Sequence, residues 1–394
     1  MAKQSPSYHF APGDTVSAAG KHSQPYPWEQ RKPKNYLRES RILGSTGVDA
    51  KKLTVKLWGK GVVEKKESIS GSSNTRYYIR HAGQLMYGKL DFLHAAFGIV
   101  PKELDKYEST ADSPAFDIID GNPKFLLESF LRKEFYLRNG QRANGSRKAK
   151  RIHEKDFLEM PILVPYKSEQ TKIGNLINSL DKTITLHEEQ HRQLERLKKA
   201  LLQKMFADET GYPALRFKGF TAKWEQRKLG DITRRYDNLR VPVTASKRKH
   251  GDIPYYGANG IQDFVSGYTH DGEFILVAED GARDPKNYPV NYVNGKIWVN
   301  NHAHVLQGIQ GLANNLFLLN GIKKINIVAY LVGGSRAKLN AETLMQLSIK
   351  LPSIHEQEKI GQLFQSLDKT ITLHDKKIQY LKQLKRGLLQ KMFV

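Results

Sequence analysis

The sequence of 394 residues contains no cysteine, few acidic residues beside its many basic ones, and no long apolar run. The absence of cysteine excludes disulfide frameworks, zinc ribbons, iron–sulfur sites and thiol nucleophiles. No apolar segment approaches the roughly 18–20 residues of a membrane span. The first 20 residues also lack the apolar core of a signal peptide. These absences predict a cytoplasmic protein.

The charge that is present is strongly one-sided. Lysine and arginine number 63 against 40 aspartate and glutamate, which gives a formal net charge of +23. Such an excess favours a polyanionic partner, and nucleic acid is the most common one. Hydrophobic residues at 39% and aromatic residues at 10% are sufficient for packed cores. The length favours two or three domains rather than one.

The sequence contains an internal repeat. Residues 157–206 align with 344–393 at a constant offset of 187, without a gap, and 26 of the 50 positions are identical. A shorter repeat, Trp-Glu-Gln-Arg-Lys, begins at Trp28 and again at Trp224. The stretches between the opening and closing repeats differ in the two halves. Shared ends with unlike middles suggest one scaffold that holds two different recognition elements.

The closing repeats have a helical apolar periodicity. Their apolar residues recur at spacings of three, four and seven, with lysine, glutamate and glutamine between them. A helix of about 38 residues would be roughly 57 Å long, which is too long for one small domain to support. Two copies in one chain favour antiparallel pairing, although each helix packing separately on its own domain is an alternative. We select these apolar positions for the helix pair and for partner docking: Ile173, Leu180, Leu194, Leu201, Ile360, Leu367, Leu381 and Leu388.

The unlike middles are predicted to be mixed α/β. Strand-like runs cover Lys51–Trp58, Phe274–Ala278 and Gly295–Asn300. Asn122 and Pro123 predict a helix that starts with an N-cap residue and proline and continues through Arg138. The predicted fold class is therefore α/β (α+β) domains in duplicate, joined by long antiparallel coiled-coil helices with a pseudo-twofold internal repeat.

The order of short motifs resembles that of the specificity subunit of type I restriction–modification systems. In the second half, the motifs begin at Trp224 and continue with Ile253–Ala258, Ala278–Gly281 and Trp298–His302. The first half matches through Lys56–Gly61, Lys89–Phe92, Phe97–Lys102 and Ser113–Ile118. The segment Tyr212–Phe220 is of the kind that this family usually has before both halves, but residues 1–27 do not repeat it.

This resemblance implies a non-catalytic subunit that recognises a bipartite DNA site, one half per domain. It implies as partners double-stranded DNA, two methyltransferase (modification) subunits and, through them, restriction/translocase subunits. It implies no cofactor in this chain, with S-adenosylmethionine, ATP and magnesium in the partner subunits. The expected organisation is an N-terminal arm (1–27), target-recognition domain 1 (28–156), a central helical repeat (157–206), a linker (207–223), target-recognition domain 2 (224–343) and a distal helical repeat (344–394).

Affinity for DNA would come from lysine and arginine on phosphates, and discrimination from side chains that reach base edges. The candidates in the first domain are Lys51, Lys52, Lys56, Lys60, Arg76, Tyr78, Arg80 and Lys89, followed by a basic loop with Arg142, Arg147, Lys148, Lys150 and Arg151. Those in the second domain are Arg234, Arg235, Arg240, Lys247, Arg248, Lys249, Asn259, Arg283 and Lys286.

Several patterns that imitate catalytic or metal sites have simpler interpretations. Asn122 lies in a run similar to the signature of adenine methyltransferases, but a helix cap is the favoured role. His187 and His191 lie one turn apart, yet the second copy has His374 followed by Ile378, so a position on the helix seam is favoured over a metal pair. His302 and His304 are assigned to the core or to a turn. We expect no catalytic residue and no metal ligand.

Two other functional classes stay open at this stage. One is a self-sufficient DNA methyltransferase or nuclease with its catalytic site in one of the unlike middles. The other is a repeat-built scaffold without a role on DNA. The absence of a phosphate-binding loop and of a glycine-rich cofactor loop argues against the first, and salt-dependent DNA affinity would argue against the second.

Overall fold

The computed structural model describes residues 28–66, 74–141, 151–285, 287–333 and 337–393. The chain divides into two compact units. Unit 1 comprises residues 1–182 and 383–394, and unit 2 comprises residues 183–382. No helix within the described ranges combines the length and apolarity needed to cross a membrane.

Unit 1 is a set of small antiparallel sheets flanked by helices. A four-stranded sheet has the order β2-β10-β7-β8, a three-stranded sheet the order β3-β6-β9, and two further pairs are β4-β5 and β1-β11. The strands are β1 Glu29–Arg31, β2 Leu37–Ser40, β3 Ile42–Thr46, β4 Leu53–Val55, β5 Val62–Glu64, β6 Arg76–Ile79, β7 Leu85–Tyr87, β8 Phe97–Ile99, β9 Glu108–Ser109, β10 Ala115–Ile118 and β11 Ile162–Val164. The helices that start in this unit are α1 Pro123–Leu131, α2 Lys133–Gly140, α3 Glu154–Leu158 and α4 Lys167–Lys204.

The core of unit 1 is aromatic. Tyr87 stacks on Phe116 with ring centroids 6.0 Å apart and lies 4.7 Å from the ring of Phe157. Phe130 and Phe135 contact each other at 5.2 Å in the same cluster. Rings of this size bury large apolar areas, so a few short strands and helices suffice to enclose a core.

The predicted helix from Pro123 to Arg138 is correct at its start and wrong in its continuity. The side chain of Asn122 accepts a hydrogen bond from the backbone N–H of Phe125, and proline occupies the first turn, as expected. Arg132, however, is extended with ψ of 134° and separates α1 from α2. On one straight helix Phe130 and Phe135 would point about 140° apart. The break lets both rings enter one core.

Unit 2 is built around a six-stranded sheet with the order β13-β18-β16-β17-β14-β15 and a separate pair β12-β19. The predicted strands Phe274–Ala278 and Gly295–Asn300 lie within β16 and largely within β17. The strands are β12 Glu225–Lys228, β13 Thr233–Arg235, β14 His250–Gly257, β15 Gly260–Val265, β16 His270–Ala278, β17 Val290–Val299, β18 Ala303–Gly308 and β19 Ser348–Leu351. The helices are α5 Leu229–Ile232, α6 Asn315–Lys324, α7 Ala341–Gln346 and α8 Ile354–Met392.

The two sequence repeats meet in the same way in both units. The opening motif forms β1, which pairs antiparallel with β11 just before α4, with Glu29 opposite Val164. In unit 2 the second copy forms β12, which pairs with β19 just before α8, with Glu225 opposite Leu351. The two partner residues differ by the same 187 positions as the sequence repeat. The repeats are therefore one structural frame used twice.

The opening tryptophan also contacts the end of a closing helical repeat in each unit. Trp28 lies with its ring centroid 5.7 Å from that of Phe393 in unit 1. Trp224 lies 6.1 Å from Phe206 in unit 2. In unit 2 these residues are joined by 17 intervening residues of chain, whereas in unit 1 they belong to opposite ends of the sequence.

The long helices predicted from the periodicity are present as α4 and α8, and they pack side by side within each unit. In unit 2 Glu188 pairs with Lys382 at 2.6 Å, and ten residues further along α4 Lys198 pairs with Asp368. Successive residues of α4 therefore pair with residues of α8 that lie progressively earlier in the sequence, so the two helices are antiparallel. In unit 1 Asp181 of α4 pairs with Lys385 of α8 at 2.7 Å. The fold class expected from the sequence is confirmed, while the domain boundaries stay a prediction.

Candidate nucleic-acid interface

Half of the described basic candidates of unit 1 are exposed and free to face a ligand. Lys51, Lys56, Lys60 and Arg76 are exposed. Lys56 and Lys60 flank the turn between β4 and β5, where the backbone N–H of Lys56 donates to the carbonyl of Gly61 at 2.8 Å. This turn therefore presents two cations on a short, tightly bonded loop.

An exposed tryptophan occupies the same turn and was missing from the residues selected by sequence. Trp58 is 57% exposed and has a φ of 60°, a left-handed conformation that costs a bulky residue free energy. The backbone N–H of Trp58 donates to the carbonyl of His94 at 2.7 Å, and the backbone N–H of Gly59 donates to the carbonyl of Ala95 at 2.9 Å. These bonds fix the backbone of the turn, and the largely exposed indole packs edge-on against the His94 ring with centroids 5.5 Å apart. An aromatic residue between two lysines was the sequence signal.

Three other candidates of unit 1 are buried and have structural roles. Arg80 is 2% exposed, and its guanidinium donates to Ser109 Oγ at 2.8 Å, to the Ser40 carbonyl at 2.9 Å and to the Ser113 carbonyl at 3.3 Å. Burial lowers the pKa of Arg80 to about 10, so it stays charged at neutral pH. Lys89 is 7% exposed and pairs with Glu154 at 2.8 Å.

Lys52 is 8% exposed, and its amino group lies 5.6 Å from the centre of the Tyr77 ring. Tyr78 is half-buried beneath the Arg80 guanidinium at 5.4 Å. Lys52, Tyr78, Arg80 and Lys89 therefore support the fold and do not belong to the candidate surface. Arg151 is half-buried and pairs with Asp112 at 3.2 Å. Arg142, Arg147, Lys148 and Lys150 lie outside the described residues.

The candidate residues of unit 2 also divide into exposed ones and ones with structural contacts. Its exposed basic candidates are Arg234, Arg235, Lys247, Lys249 and Arg283. Arg248 stacks on Tyr255 with 4.1 Å to the ring centre and pairs with Asp263 at 3.2 Å. Asn259 uses both ends of its amide, donating to the Gly281 carbonyl and accepting from the Arg283 N–H, each at 2.9 Å. Asn259 thus fixes the loop that carries Arg283 and is not free to read a base. Lys286 lies outside the described residues.

A buried charge network occupies the interior of unit 2. Arg240 donates to Glu279 at 2.6 Å, and Asp237 accepts from a nitrogen of His304 at 2.7 Å. Burial alone would raise the pKa of Asp237. The hydrogen bonds from His304 and from the Val305 N–H outweigh it and hold that pKa below its ordinary value. Burial would likewise raise the pKa of Glu279, but hydrogen bonds from Lys338 and Arg240 outweigh it and lower this pKa. Arg240 is thereby a structural residue.

The histidines that the sequence offers as metal ligands lie in the core, in a turn and on the helix seam. His304 is 1% exposed and also bonds the Leu339 carbonyl at 2.8 Å, so it belongs to the core. His302 lies in a turn and contacts Asp280 at 2.6 Å. His187 lies on the helix seam and contacts His374. Within the described ranges, no group of three or more histidine, cysteine, aspartate or glutamate residues is arranged to hold a metal ion.

The residues selected for the helix pair pack within the units. Ile173, Ile360 and Leu381 are 7%, 1% and 6% exposed. The others are partly buried: Leu180, Leu194, Leu201, Leu367 and Leu388. A second set of leucines was not selected and is exposed at equivalent positions of the repeat. Leu186 and Leu373 are 57% and 67% exposed, and Leu197 and Leu384 are 47% and 37% exposed.

The fold and these surfaces define a protein with a duplicated frame, two unlike sheet units and an antiparallel helix pair. Comparison with known proteins shows what part of the chain is similar to. Residues 221–383 match the model of the type I restriction modification DNA specificity domain. The resemblance to type I specificity subunits found in the sequence is thereby confirmed.

Individual relatives bear the name of the same family. Over 143 residues the chain is 43% identical to a putative type I restriction enzyme specificity subunit of Haemophilus influenzae, covering 36% of this chain and 37% of that protein. Over 157 residues it is 24% identical to the EcoprrI specificity subunit of Escherichia coli, covering 39% and 38%. The chain thus spans less than two fifths of the length of these two relatives.

A solved structure shares the fold across nearly the whole chain. The S subunit of a type I restriction–modification system from M. genitalium matches with a TM-score of 0.67 at 16% identity, covering 93% of this chain and 96% of that one. At this identity the likeness concerns the fold alone.

Proposed function

We propose that this chain is the DNA-recognition subunit of a type I restriction–modification complex and has no catalytic site of its own. The observation that carries the proposal is the match of residues 221–383 to a DNA specificity domain. The duplicated frame supports two recognition elements in one chain, because the same strand pair and helix enclose an unlike middle in each half. We infer that each unit reads one half of a bipartite site.

The exposed basic residues support the DNA part of the proposal. In unit 1 they include Lys56 and Lys60 beside Trp58, and an outward indole between two cations suits insertion between base steps or stacking on a base. In unit 2 they are Arg234, Arg235, Lys247, Lys249 and Arg283. Lysine and arginine on phosphates supply salt-dependent affinity, whereas base discrimination needs side chains at base edges.

The exposed leucines support docking of two modification subunits on the helix pair. Leu186 and Leu373 differ by 187 positions, as do Leu197 and Leu384, and all four are exposed. Exposed leucines in matched pairs offer two chemically similar apolar surfaces. Equal surfaces from a repeat suit two copies of one partner. In this proposal the partners supply S-adenosylmethionine, ATP and magnesium chemistry.

The decisive experiment exchanges one recognition element. Cells that express the cognate modification subunit receive either the natural chain or a chain whose residues 28–156 come from another specificity subunit. We expect methylome sequencing to show one half of the target changed and the other intact. A change in both halves would contradict one half-site per unit.

A separate measurement tests the absence of catalysis. The purified chain is incubated with DNA and S-adenosylmethionine, and with DNA and magnesium. We expect neither methyl transfer nor cleavage by the chain alone, and methyl transfer once the modification subunit is added. Methylation by the chain alone would show that one of the unlike middles is an enzyme.

A further inference from the structure

Two histidines at equivalent positions of the repeat face each other across the helix seam of unit 2. His187 of α4 and His374 of α8 are separated by the repeat offset of 187, and their nine-residue contexts are identical, Ser179–His187 and Ser366–His374. Their Nδ1 atoms lie 3.1 Å apart and their ring planes are inclined by 60°. The repeat thus places two nitrogen ligands of the same kind at one point.

The surroundings set this pair apart from the rest of the seam. Ile184 and Ile371, one turn before each histidine, are 8% exposed, and so is Ile378 one turn after His374. The nearby carboxylate of Glu188 is engaged by Lys382 at 2.6 Å. Both histidines are only partly buried. The pair is therefore a polar point in an apolar seam that solvent and small ions can reach.

In the metal-free chain the two Nδ1 atoms lie within hydrogen-bond distance of each other, and the same separation suits a shared metal ion. Metal–imidazole bonds are about 2.0–2.1 Å, so two nitrogens around one ion are ~2.9 Å apart at a right angle and ~3.3 Å apart at a tetrahedral angle. The observed 3.1 Å falls between these values. A shift of about 0.2 Å, small for side chains at a helix seam, would reach either geometry.

We propose that His187 and His374 form a site for a divalent transition-metal ion, with Zn²⁺ as the first candidate. The two Nδ1 atoms bind the ion, and water completes the coordination, since no third ligand joins them among the described residues. Each ligand comes from a different helix, so a bound ion crosslinks α4 to α8. Binding to the folded chain alone then raises stability with metal concentration. This site is independent of the proposed DNA recognition.

The test uses the full chain freed of metal by a chelator and titrated with ZnCl₂. We expect the melting temperature to rise with Zn²⁺ and to return when the chelator is added again. His187→Gln and His374→Gln, tested singly, should each lose this rise, because one remaining imidazole binds too weakly. His191→Gln is the matched control and should keep it, since His191 lies one turn from His187 and its counterpart in the second repeat is Ile378.

A second measurement reports the ligands directly. With Cu²⁺ as the probe, the electron paramagnetic resonance spectrum of the natural chain should show two imidazole nitrogens on one ion, and that of either single variant should not. It also decides the case if one variant fails to fold, because the other still gives a spectrum. The chain has 13 histidines, so equal Zn²⁺ shifts in all four proteins, or no shift in the natural chain, would overturn the proposal.

Discussion

At the residue scale, the two copies of the frame give the same glutamate position different hydrogen-bond partners. In unit 1 Glu169 accepts a hydrogen bond from Trp28 Nε1 at 3.3 Å. Its counterpart in unit 2, Glu356, is fully buried and accepts two bonds of 2.7 Å from Arg216. Trp224 Nε1 is then left without a hydrogen-bond partner. Arg216 belongs to the segment before Trp224 that the first half does not repeat, so the sequence departure has a direct chemical consequence.

We predict that Arg216→Met strongly destabilises unit 2. The variant leaves the Glu356 carboxylate buried without its cation, which costs about 3–5 kcal/mol. Trp28→Phe is the matched change in unit 1 and should cost only about 1–2 kcal/mol, because it removes one long hydrogen bond. Urea unfolding followed by hydrogen exchange separates the units, and equal losses would contradict this assignment.

Arg80 gives a second prediction at this scale. Arg80→Met should lower the free energy of unfolding by about 2–4 kcal/mol, because the Ser40 and Ser113 carbonyls lose buried donors. Arg76→Met, four residues away and exposed, is the control and should leave stability within about 0.5 kcal/mol. Denaturant midpoints measure both. If Arg80→Met matched the control, its guanidinium would not be a structural group.

These residues also show what the sequence could not provide about the site. The sequence selected Lys51 and Lys52 alike, and Arg76 and Arg80 alike, but burial separates Lys51 from Lys52 and Arg76 from Arg80. That separation depends on strands that pair over long sequence distances, such as β6 with β9. For Trp58 the sequence offered a signal, an aromatic residue between two lysines, but its exposure is visible only in the structure.

At the scale of elements, two glycines allow the short helices to dock on the long ones. A Cβ on Gly174 would lie 2.0 Å from Oδ1 of Asn122, the cap of α1. A Cβ on Gly361, its counterpart 187 positions later, would lie 2.9 Å from Oδ1 of Asn314, the cap of α6. The cap side chain and the glycine thus form one contact that occurs twice.

We predict that Gly174→Ala and Gly361→Ala each destabilise the protein by about 1–3 kcal/mol through this overpacking. Gly387 is the matched control, because its Cβ would meet open space and the first repeat already has alanine at the equivalent position 200. Gly387→Ala should therefore stabilise by about 0.5–1 kcal/mol. Thermal melts compare the three variants. If all three changed the melting temperature in the same direction, the contact between glycine and cap would be contradicted.

The buried charge network of unit 2 predicts that the stability of the protein is sensitive to acid. The folded pKa of Asp237 is lowered, so its contribution to stability is complete above the unfolded value of about 3.9 and is lost as the pH falls through the lower folded pKa. Asp237→Asn should be less stable at pH 7 and should lose less stability between pH 5 and pH 2. Urea midpoints across this range test it, and parallel curves for the two proteins would show that Asp237 is not the sensitive group.

Elements differed in how far the sequence determined them. The long helices were predictable because an apolar stripe of 3.6-residue period continues over ten turns. The break at Arg132 was not predictable, since neither glycine nor proline marks it and only the shared core of Phe130 and Phe135 requires it. The short strands of unit 1 were mostly missed because segments of three residues carry no clear alternation.

At the scale of the whole molecule, exposed leucines on α4 and α8 predict how partners assemble. Leu186→Ser with Leu373→Ser should abolish binding of both modification subunits, and each single change should leave one bound. Native mass spectrometry counts the subunits. Because both side chains are mostly exposed, the melting temperature of the isolated chain should hardly change, and two bound copies in the double variant would exclude this surface.

The contacts of Trp28 with Phe393 and of Trp224 with Phe206 have a consequence for gene architecture. A covalent linker spans the second junction, whereas the first is closed only by packing. The two junctions share one packing arrangement, so the position of the chain termini should be interchangeable between them. A circularly permuted gene, with a short linker from residue 393 to residue 28 and new termini between residues 207 and 223, should encode a protein that recognises the same target.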